Sequence, residues 1–240
     1  MKRVFLAGAA GAIGRRFVPL LVREGYRVTG TTRSPAKAAG LAAMGAEPVI
    51  VDVFDTEALA RAVEAARAEV VVHQLTDLPP GLDPGQMSAA VRRNARLRAD
   101  GTRNLVHAAL AARVPRLVAQ SIAWAYAPSA EPHGEEDPLD LAAGGDRGVS
   151  VGGVAALEQA VLGSPPLEGV VLRYGRLYGP GTGADTPPSV LPLHVDAAAF
   201  AALLALTRGA PGIYNIAEPN PQVATGKAET ELGWRADVRL

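Results

Sequence analysis

The sequence predicts an α/β protein in which helices cover both faces of a parallel sheet. Short apolar segments alternate with longer stretches rich in Ala, Leu and Arg, as expected when strands and helices follow one another. Two of the apolar segments, VVVH and GVVLRY, are nearly continuous runs, which is typical of strands buried on both faces. The first segment leads directly into a glycine-rich turn and a helical pattern, so the fold begins with a strand, a turn and a helix.

The apolar segments define the order of the predicted elements. A helix is predicted from Ala12 to Glu24, where Gly25 ends it, and Pro19 inside it is expected to bend the helix or remove one backbone bond. Two stretches rich in Pro and Gly, Pro128 to Gly148 and Gly179 to Pro192, predict loops near the carboxyl edge of the sheet, where ligands bind in such folds. The predicted strands are Arg3–Ala7, Tyr26–Thr32, Pro48–Asp52, Glu69–Gln74, Arg116–Gln120, Gly169–Tyr174 and Ile213–Ile216.

Composition and charge exclude several classes of function. The 240 residues carry 24 basic and 24 acidic side chains, and no dense basic cluster favours nucleic acid or an acidic membrane surface. There is no cysteine, so disulfides, thiolate metal sites and cysteine nucleophiles are excluded, and no metal site is predicted. The opening MKRVFLAGAAGAIG is typical of a strand and glycine loop and is too short to cross a bilayer, so we expect a cytoplasmic protein.

The glycine-rich turn predicts a site for a dinucleotide. Glycines at positions 8, 11 and 14 follow the first strand and open the first helix, so backbone N–H groups and the positive helix end can face a pyrophosphate. A Cβ would block that approach. The alternative is that the glycines serve only tight turns and helix packing, but the strand before and the helix after favour a cofactor. The predicted binding residues here are Gly8, Ala10, Gly11, Ala12, Ile13 and Gly14.

The end of the second strand favours NADP over NAD. Where an acidic side chain would bind the ribose 2′-hydroxyl, the sequence has Arg33 and Ser34, with Lys37 shortly after. A guanidinium suits a 2′-phosphate, although Arg33 can also be read as a solvated residue after a strand. Asp52 is placed to accept from the adenine amino group. The remaining predicted cofactor residues are Val53, Leu75 and Tyr174.

With these segments together, the chain resembles the extended or atypical short-chain dehydrogenase/reductases, the group also described as NAD-dependent epimerase/dehydratases. The resemblance covers the whole chain. It implies a Rossmann-type doubly wound parallel sheet, a small-molecule substrate and a homodimer. The matching segments are GAAGAIG, VDVFD, GTRNLVHAAL, QSIAWAY, LRYGRLYGPGT, LHVDAAA, IYNIAE and KAETELGW.

The catalytic residues depart from the pattern of this family, which uses a Ser or Thr, a Tyr and a Lys. The Ser is present as Ser121, but the Tyr position is Ser150 and the Lys position is Val154. Because Val154 cannot carry a charge, it cannot help a tyrosine to move a proton. Tyr126 is the candidate substitute acid, although the favoured interpretation is that its ring is a packing group in the loop. We interpret His73, His107, His133 and His194 as structural or exposed.

The resemblance also implies a substrate lobe, which is short in this sequence. We predict a nucleotide-binding domain at residues 1–178, completed by 193–216, and a reduced lobe at 179–192 and 217–240. Such a pocket accepts an open or bulky ligand or is completed by a partner subunit. Three functions stay open at this point: an NADP(H)-dependent oxidoreductase, epimerase or dehydratase acting on a small carbonyl or hydroxyl compound; a non-catalytic NADP(H) sensor or scaffold; and a non-redox isomerase or cyclase.

Overall fold

A computed structural model describes residues 2–79 and 83–240. A parallel sheet of seven strands runs through the centre of the molecule in the order β3-β2-β1-β4-β5-β6-β9. The predicted α/β class with a doubly wound parallel sheet is therefore confirmed. The strands are β1 Arg3–Ala7, β2 Arg27–Thr32, β3 Glu47–Ile50, β4 Val70–His73, β5 Arg116–Ile122, β6 Glu168–Tyr174, β7 Arg176–Tyr178, β8 Pro192–His194 and β9 Gly212–Ile216.

Helices cover both faces of the sheet, because its central strands bury apolar side chains on both sides. One core cluster packs α1 and α7 on one face, and a second packs α3, α5 and α6 on the other. The helices are α1 Ala12–Arg23, α2 Ala38–Ala43, α3 Thr56–Ala66, α4 Pro84–Arg96, α5 Thr102–Ala111, α6 Gly145–Leu162 and α7 Val195–Ala205. No helix in the described ranges is long and apolar enough to span a membrane.

The buried face of α1 is the one that its sequence predicts. Ile13, Phe17, Leu20 and Leu21 are buried against the sheet, as their helical spacing indicates. The helix continues through Pro19, which lies on the exposed side. Its end at Arg23 is one residue short of the prediction.

The two predicted loops are only partly irregular. Helix α6 begins at Gly145, three residues before the predicted loop ends, with an acidic residue in its first turn where the helix dipole favours negative charge. The second loop contains the start of β8, which pairs in parallel with β7 outside the main sheet. Local composition indicated the turns in both segments. It did not indicate the pairing of β7 with β8, because that pairing joins residues on either side of the second loop.

The C-terminal segment packs against α1 and α7. Trp234 is buried, and its indole N–H donates to the carbonyl of Ala197 on α7 at 3.0 Å. The backbone N–H of Leu240 donates to Asp196, whose other carboxylate oxygen pairs with Arg16 on α1. The predicted division into a nucleotide domain and a reduced lobe stays a prediction, and these contacts place Trp234 and Leu240 on the face formed by α1 and α7.

Candidate functional site

The order of the strands creates a crevice between β1 and β4. From β1 the chain moves outward to β2 and β3, and it later returns to place β4 on the other side of β1. The connections that leave the carboxyl ends of β1 and β4 therefore run in opposite directions along the sheet. Open α/β sheets bind ligands at such a reversal. The glycine turn after β1 lies at this point.

The glycine turn presents free backbone N–H groups. The N–H of Gly11 donates to the carbonyl of Gly8 at 3.0 Å, which closes the turn, and the first helical bond runs from Arg15 to Gly11. Gly11 is the N-cap of α1 and no side chain caps this helix end. The N–H groups of the first turn, including those of Ala12 and Ile13, have no acceptor within the helix. They form a ready site for an anion at the positive end of the helix dipole.

The three glycines are required for different reasons. A Cβ on Gly8 would lie 2.5 Å from the carbonyl oxygen of Gln74, and Gly8 has a φ of +93°. A Cβ on Gly14 would lie 2.4 Å from the carbonyl oxygen of Ala9. A Cβ on Gly11 would meet only the carbonyl oxygen of Gly8 at 3.3 Å. Packing therefore explains two of the glycines, and the third leaves an open approach to the loop.

A cavity of about 320 Å³ opens beside this turn, which is within the usual size of a ligand pocket. Seven of the predicted cofactor residues line it: Gly8, Ala10, Gly11, Arg33, Ser34, Val53 and Leu75. It is also lined by residues that we did not predict, among them Phe54, Gln74, Thr76, Asp77 and Leu97.

The rim at the end of β2 is basic. Arg33 and Lys37 line the cavity and are exposed, and neither forms an ion pair with any described residue. Thr32 accepts from the N–H of Ser34 at 3.1 Å, which shapes the turn. The acidic lining residue, Asp77, lies after β4 and pairs with Arg93 at 3.5 Å. No carboxylate stands at the end of β2, as the sequence indicated.

The other predicted cofactor residues lie around the cavity without lining it. Ala12, Ile13 and Gly14 form the first turn of α1 beneath the loop. Asp52 accepts from the N–H of Phe54 at 3.0 Å, which orders the turn after β3. Tyr174 is buried, and its hydroxyl bonds to Gln74 and to the carbonyl of Ala198. Burial raises the pKa of Tyr174, so the hydroxyl stays protonated.

The cavity has features that fit a dinucleotide. The side-chain oxygen of Gln74 is buried without a hydrogen-bond partner among the described residues, although Gln74 lines the cavity. A buried polar atom of this kind normally has a partner. Together with the free N–H groups of the α1 turn, it indicates that a polar ligand completes this pocket. The signal in the sequence was only the position of Gln74 at the end of the predicted strand Glu69–Gln74.

Ser121 belongs to a buried network at the end of β5. Its hydroxyl donates to Glu158 on α6 at 2.8 Å. Glu158 also accepts two hydrogen bonds from the guanidinium of Arg173, at 2.9 and 2.6 Å. All three residues are nearly inaccessible to solvent. Hydrogen bonding and charge attraction to Glu158 raise the pKa of Arg173 despite the opposing effect of its burial. The hydroxyl proton of Ser121 is therefore held inside the protein.

Tyr126 lies in a second part of the same network. Its hydroxyl donates to the side-chain oxygen of Asn215 on β9 at 2.7 Å, and its ring stacks on His133 with ring centres 4.8 Å apart. The guanidinium carbon of Arg173 also lies over this ring, 4.7 Å from its centre. Burial raises the pKa of Tyr126, so it is a weaker acid than a free tyrosine. Whether Ser121 and Tyr126 act on a substrate stays a prediction.

The two replaced positions on α6 have different surroundings. Val154 is fully buried in an apolar cluster with Ile122, Ala125 and Val151. Ser150, one helical turn earlier, is partly exposed and accepts a hydrogen bond from the guanidinium of Arg98 at 3.3 Å. Arg98 is buried, although it follows a run of three other arginines in the chain, Arg92, Arg93 and Arg96. We did not predict this contact, because nothing in that run distinguishes an inward arginine from a solvated one.

The histidines nearest the site have structural roles. His73 is fully buried at the end of β4, where one ring nitrogen accepts from the N–H of Leu75 and the other pairs with the hydroxyl of Thr102. Burial, with a smaller effect from the charge of Arg98, lowers the pKa of His73 to about 4. His194 caps α7 by accepting from the N–H of Asp196.

Comparisons with known proteins agree with this geometry. A family described as NAD(P)H-binding matches residues 8–165. A 3-diazoavenalumate denitrifying reductase from a Streptomyces species is 41% identical over 243 residues, covering 92% of this chain and 78% of the relative.

Two solved structures share the fold at low sequence identity. UDP-glucose 4-epimerase from Thermotoga maritima superposes with a TM-score of 0.79 at 18% identity, covering 98% of this chain and 94% of its own. The dTDP-glucose 4,6-dehydratase DesIV from Streptomyces venezuelae has a TM-score of 0.79 at 20% identity, covering 99% and 92%. At this level of sequence identity, the similarity shows a shared fold only.

Proposed function

The chain belongs to the NAD(P)H-binding family, within the short-chain dehydrogenase/reductase-like proteins, and from this premise we propose that it is an NADP(H)-dependent reductase that replaces a diazo group on an aromatic carboxylate by hydrogen. The relative that is 41% identical supports this choice of substrate. The observation that carries the proposal is that Ser121 and Tyr126 both donate their hydroxyl protons to internal acceptors.

The chemistry of a diazo group suits a site with this arrangement. Reduction of a carbonyl needs a proton at the oxygen, normally from a positioned side chain. Replacement of an aryl diazonium group by a hydride breaks the C–N bond, forms a C–H bond and releases N₂, and its overall balance consumes no proton from the protein. NAD(P)H supplies the hydride when it is bound. The absence of Tyr at position 150 and Lys at position 154 is then compatible with activity.

The residues of this chain have separate roles in the proposal. The first-turn N–H groups of Ala12 and Ile13 hold the pyrophosphate, and Gln74 offers its unpaired oxygen to the polar part of the ligand. Arg33 and Lys37 bind a 2′-phosphate, which is the basis for preferring NADP. The buried network around Glu158 fixes the edge of β5 and keeps the adjacent wall rigid.

The main test is whether the protein catalyses the reduction of a diazotised aminocinnamate by NADPH. The loss of NADPH absorbance and the release of N₂ are measured. We expect turnover above the rate without protein, and transfer of deuterium from C4-labelled NADPH to the aromatic carbon. The matched variants are Gly11→Asp, which blocks the loop, and Gly40→Asp, at a glycine whose Cβ would meet nothing within 4 Å. Turnover unchanged in Gly11→Asp would refute the proposed cofactor site.

A carbonyl panel separates this proposal from reduction of a carbonyl or hydroxyl compound. In that second function Ser121 polarises the oxygen and Tyr126 gives the proton, so Ser121→Ala and Tyr126→Phe would abolish turnover. We expect instead no carbonyl turnover in the unaltered protein, and at most a severalfold loss of diazo reduction in Tyr126→Phe. Carbonyl turnover that depends on Tyr126 would overturn the diazo proposal.

We also propose a homodimer, on the resemblance alone, and a cytoplasmic location, on composition alone. Sedimentation equilibrium of the full chain tests the first. A mass twice the 24.7 kDa of the chain is expected, and a monomer at micromolar concentration would contradict it.

A further inference from the structure

Arg98 stands apart from the other arginines of its helix. It lies in a π-helical turn, Leu97–Gly101, that joins α4 to α5, and such turns change which side chains face inward. The side chains of Arg92, Arg93 and Arg96 on α4 are about half or more exposed, whereas Arg98 is 8% exposed. The π-helical turn therefore directs one positive charge of this basic helix into the protein.

The surroundings of Arg98 leave its charge without a protein partner. Arg116 and Arg173, which are equally buried, each have a carboxylate partner and at least one backbone carbonyl. In the described part of the chain, Arg98 has one hydrogen bond, to Ser150 at 3.3 Å, and no ion pair. Glu158 is near enough to influence its charge, but that carboxylate already accepts two bonds from Arg173.

An unpaired buried cation is costly, so such groups are normally paired. Burial lowers the pKa of Arg98 to about 10, which still leaves the guanidinium charged at neutral pH. Its charge acts on His73 at the end of β4, and Leu97, its neighbour in the chain, lines the cavity. The phosphate loop follows β1 instead, so the two anion sites are separate.

We propose that Arg98, with Ser150, binds the carboxylate of the substrate. This inference rests on the proposed function and specifies how its substrate class is selected: the site takes an aromatic carboxylate and discriminates against the uncharged amide or ester. A guanidinium can form two parallel bonds to a carboxylate, and the hydroxyl of Ser150 can donate a third. Because Ser150 is partly exposed, the pair can be reached from solvent.

The test measures binding of unreactive probes and therefore does not depend on turnover. Cinnamate and cinnamamide are titrated calorimetrically into the NADPH-saturated protein, into Arg98→Gln and Arg98→Lys, and into the control Arg96→Gln, which removes an exposed arginine two residues away. We expect cinnamate to bind at least tenfold more tightly than cinnamamide. Arg98→Gln should remove that preference, Arg98→Lys should retain part of it, and Arg96→Gln should leave it unchanged.

Equal affinity for the two probes in the unaltered protein would overturn the inference, as would a loss of NADPH affinity in Arg98→Gln with the probe preference intact. Thermal unfolding of each variant checks that it is folded. If Arg98→Gln does not fold, the comparison with Arg98→Lys still decides the test. Diazo reduction with equal kcat/KM for the acid and the amide would refute the role of Arg98 and leave the proposed function standing. Arg98-dependent cinnamate binding without any diazo reduction would support the role of Arg98 and refute the proposed function.

Discussion

Alanine at each of the three glycines of the turn separates packing from ligand binding. Gly8→Ala forces a residue with a side chain to a φ of +93° and places its Cβ 2.5 Å from the carbonyl oxygen of Gln74. The backbone conformation costs about 1–2 kcal/mol, and overpacking costs about 1–3 kcal/mol. The free energy of unfolding should fall by about 2–5 kcal/mol, which corresponds to a lower Tm on the order of 10 °C.

The other two positions should behave differently. Gly14→Ala places a Cβ 2.4 Å from a backbone oxygen, so we expect a loss of about 1–3 kcal/mol. Gly11 has an ordinary extended conformation and a Cβ there would meet only the carbonyl oxygen of Gly8 at 3.3 Å, so alanine should change stability by less than about 1 kcal/mol. Its Cβ would stand in the approach to the free N–H groups. Loss of one charge-assisted hydrogen bond should weaken NADPH binding about 10- to 150-fold.

The assays are urea unfolding of the ligand-free protein and calorimetric titration of NADPH. In the expected result, Gly11→Ala keeps its stability and loses affinity. Gly8→Ala and Gly14→Ala lose stability. A Gly11→Ala variant that binds NADPH as tightly as the unaltered protein would refute the assignment of this loop to the pyrophosphate, and the glycines would then serve packing only.

Three further predictions concern charged and titratable groups. Arg33→Ala should weaken NADPH binding about 5- to 30-fold and leave NADH binding unchanged, since an exposed charge-assisted contact contributes about 1–2 kcal/mol. The calorimetric control is Arg23→Ala, at an exposed arginine outside the cavity. Equal losses of affinity for both nucleotides in Arg33→Ala would contradict the 2′-phosphate assignment. Glu158→Gln should destabilise the protein by about 3–5 kcal/mol in urea unfolding because it leaves Arg173 buried and unpaired, whereas Glu168→Gln, which removes a half-exposed partner of Arg116, should cost less than about 1 kcal/mol. His73 has a folded-state pKa of about 4 against an ordinary value of 6.5, so the folded protein binds fewer protons and its stability should fall by about 3 kcal/mol as the pH drops from 6.5 to 4. That slope should be reduced in His73→Gln and retained in the exposed control His107→Gln, and a slope that persists in His73→Gln would show that another group is responsible.

The sequence was most informative where the physical requirement is local. Continuous apolar runs located the buried strands, and the glycines after β1 identified the turn, because backbone conformation and helix spacing depend on neighbouring residues. The missing carboxylate after β2 was likewise visible from the sequence. The short strands β7 and β8 were not, since each has only three residues and is defined by its partner.

The amino-acid sequence alone determined the fold class, the place of the glycine turn after β1 and the loss of the Tyr and Lys of the family pattern. Only the tertiary structure decided where the remaining polar side chains are used. It turned the hydroxyls of Ser121 and Tyr126 inward, paired Glu158 with Arg173 and buried Arg98 beside Ser150. These contacts join residues that are 15 to 89 positions apart. Whether a buried charge is paired depends on which distant strands and helices meet, and no local pattern contains that information.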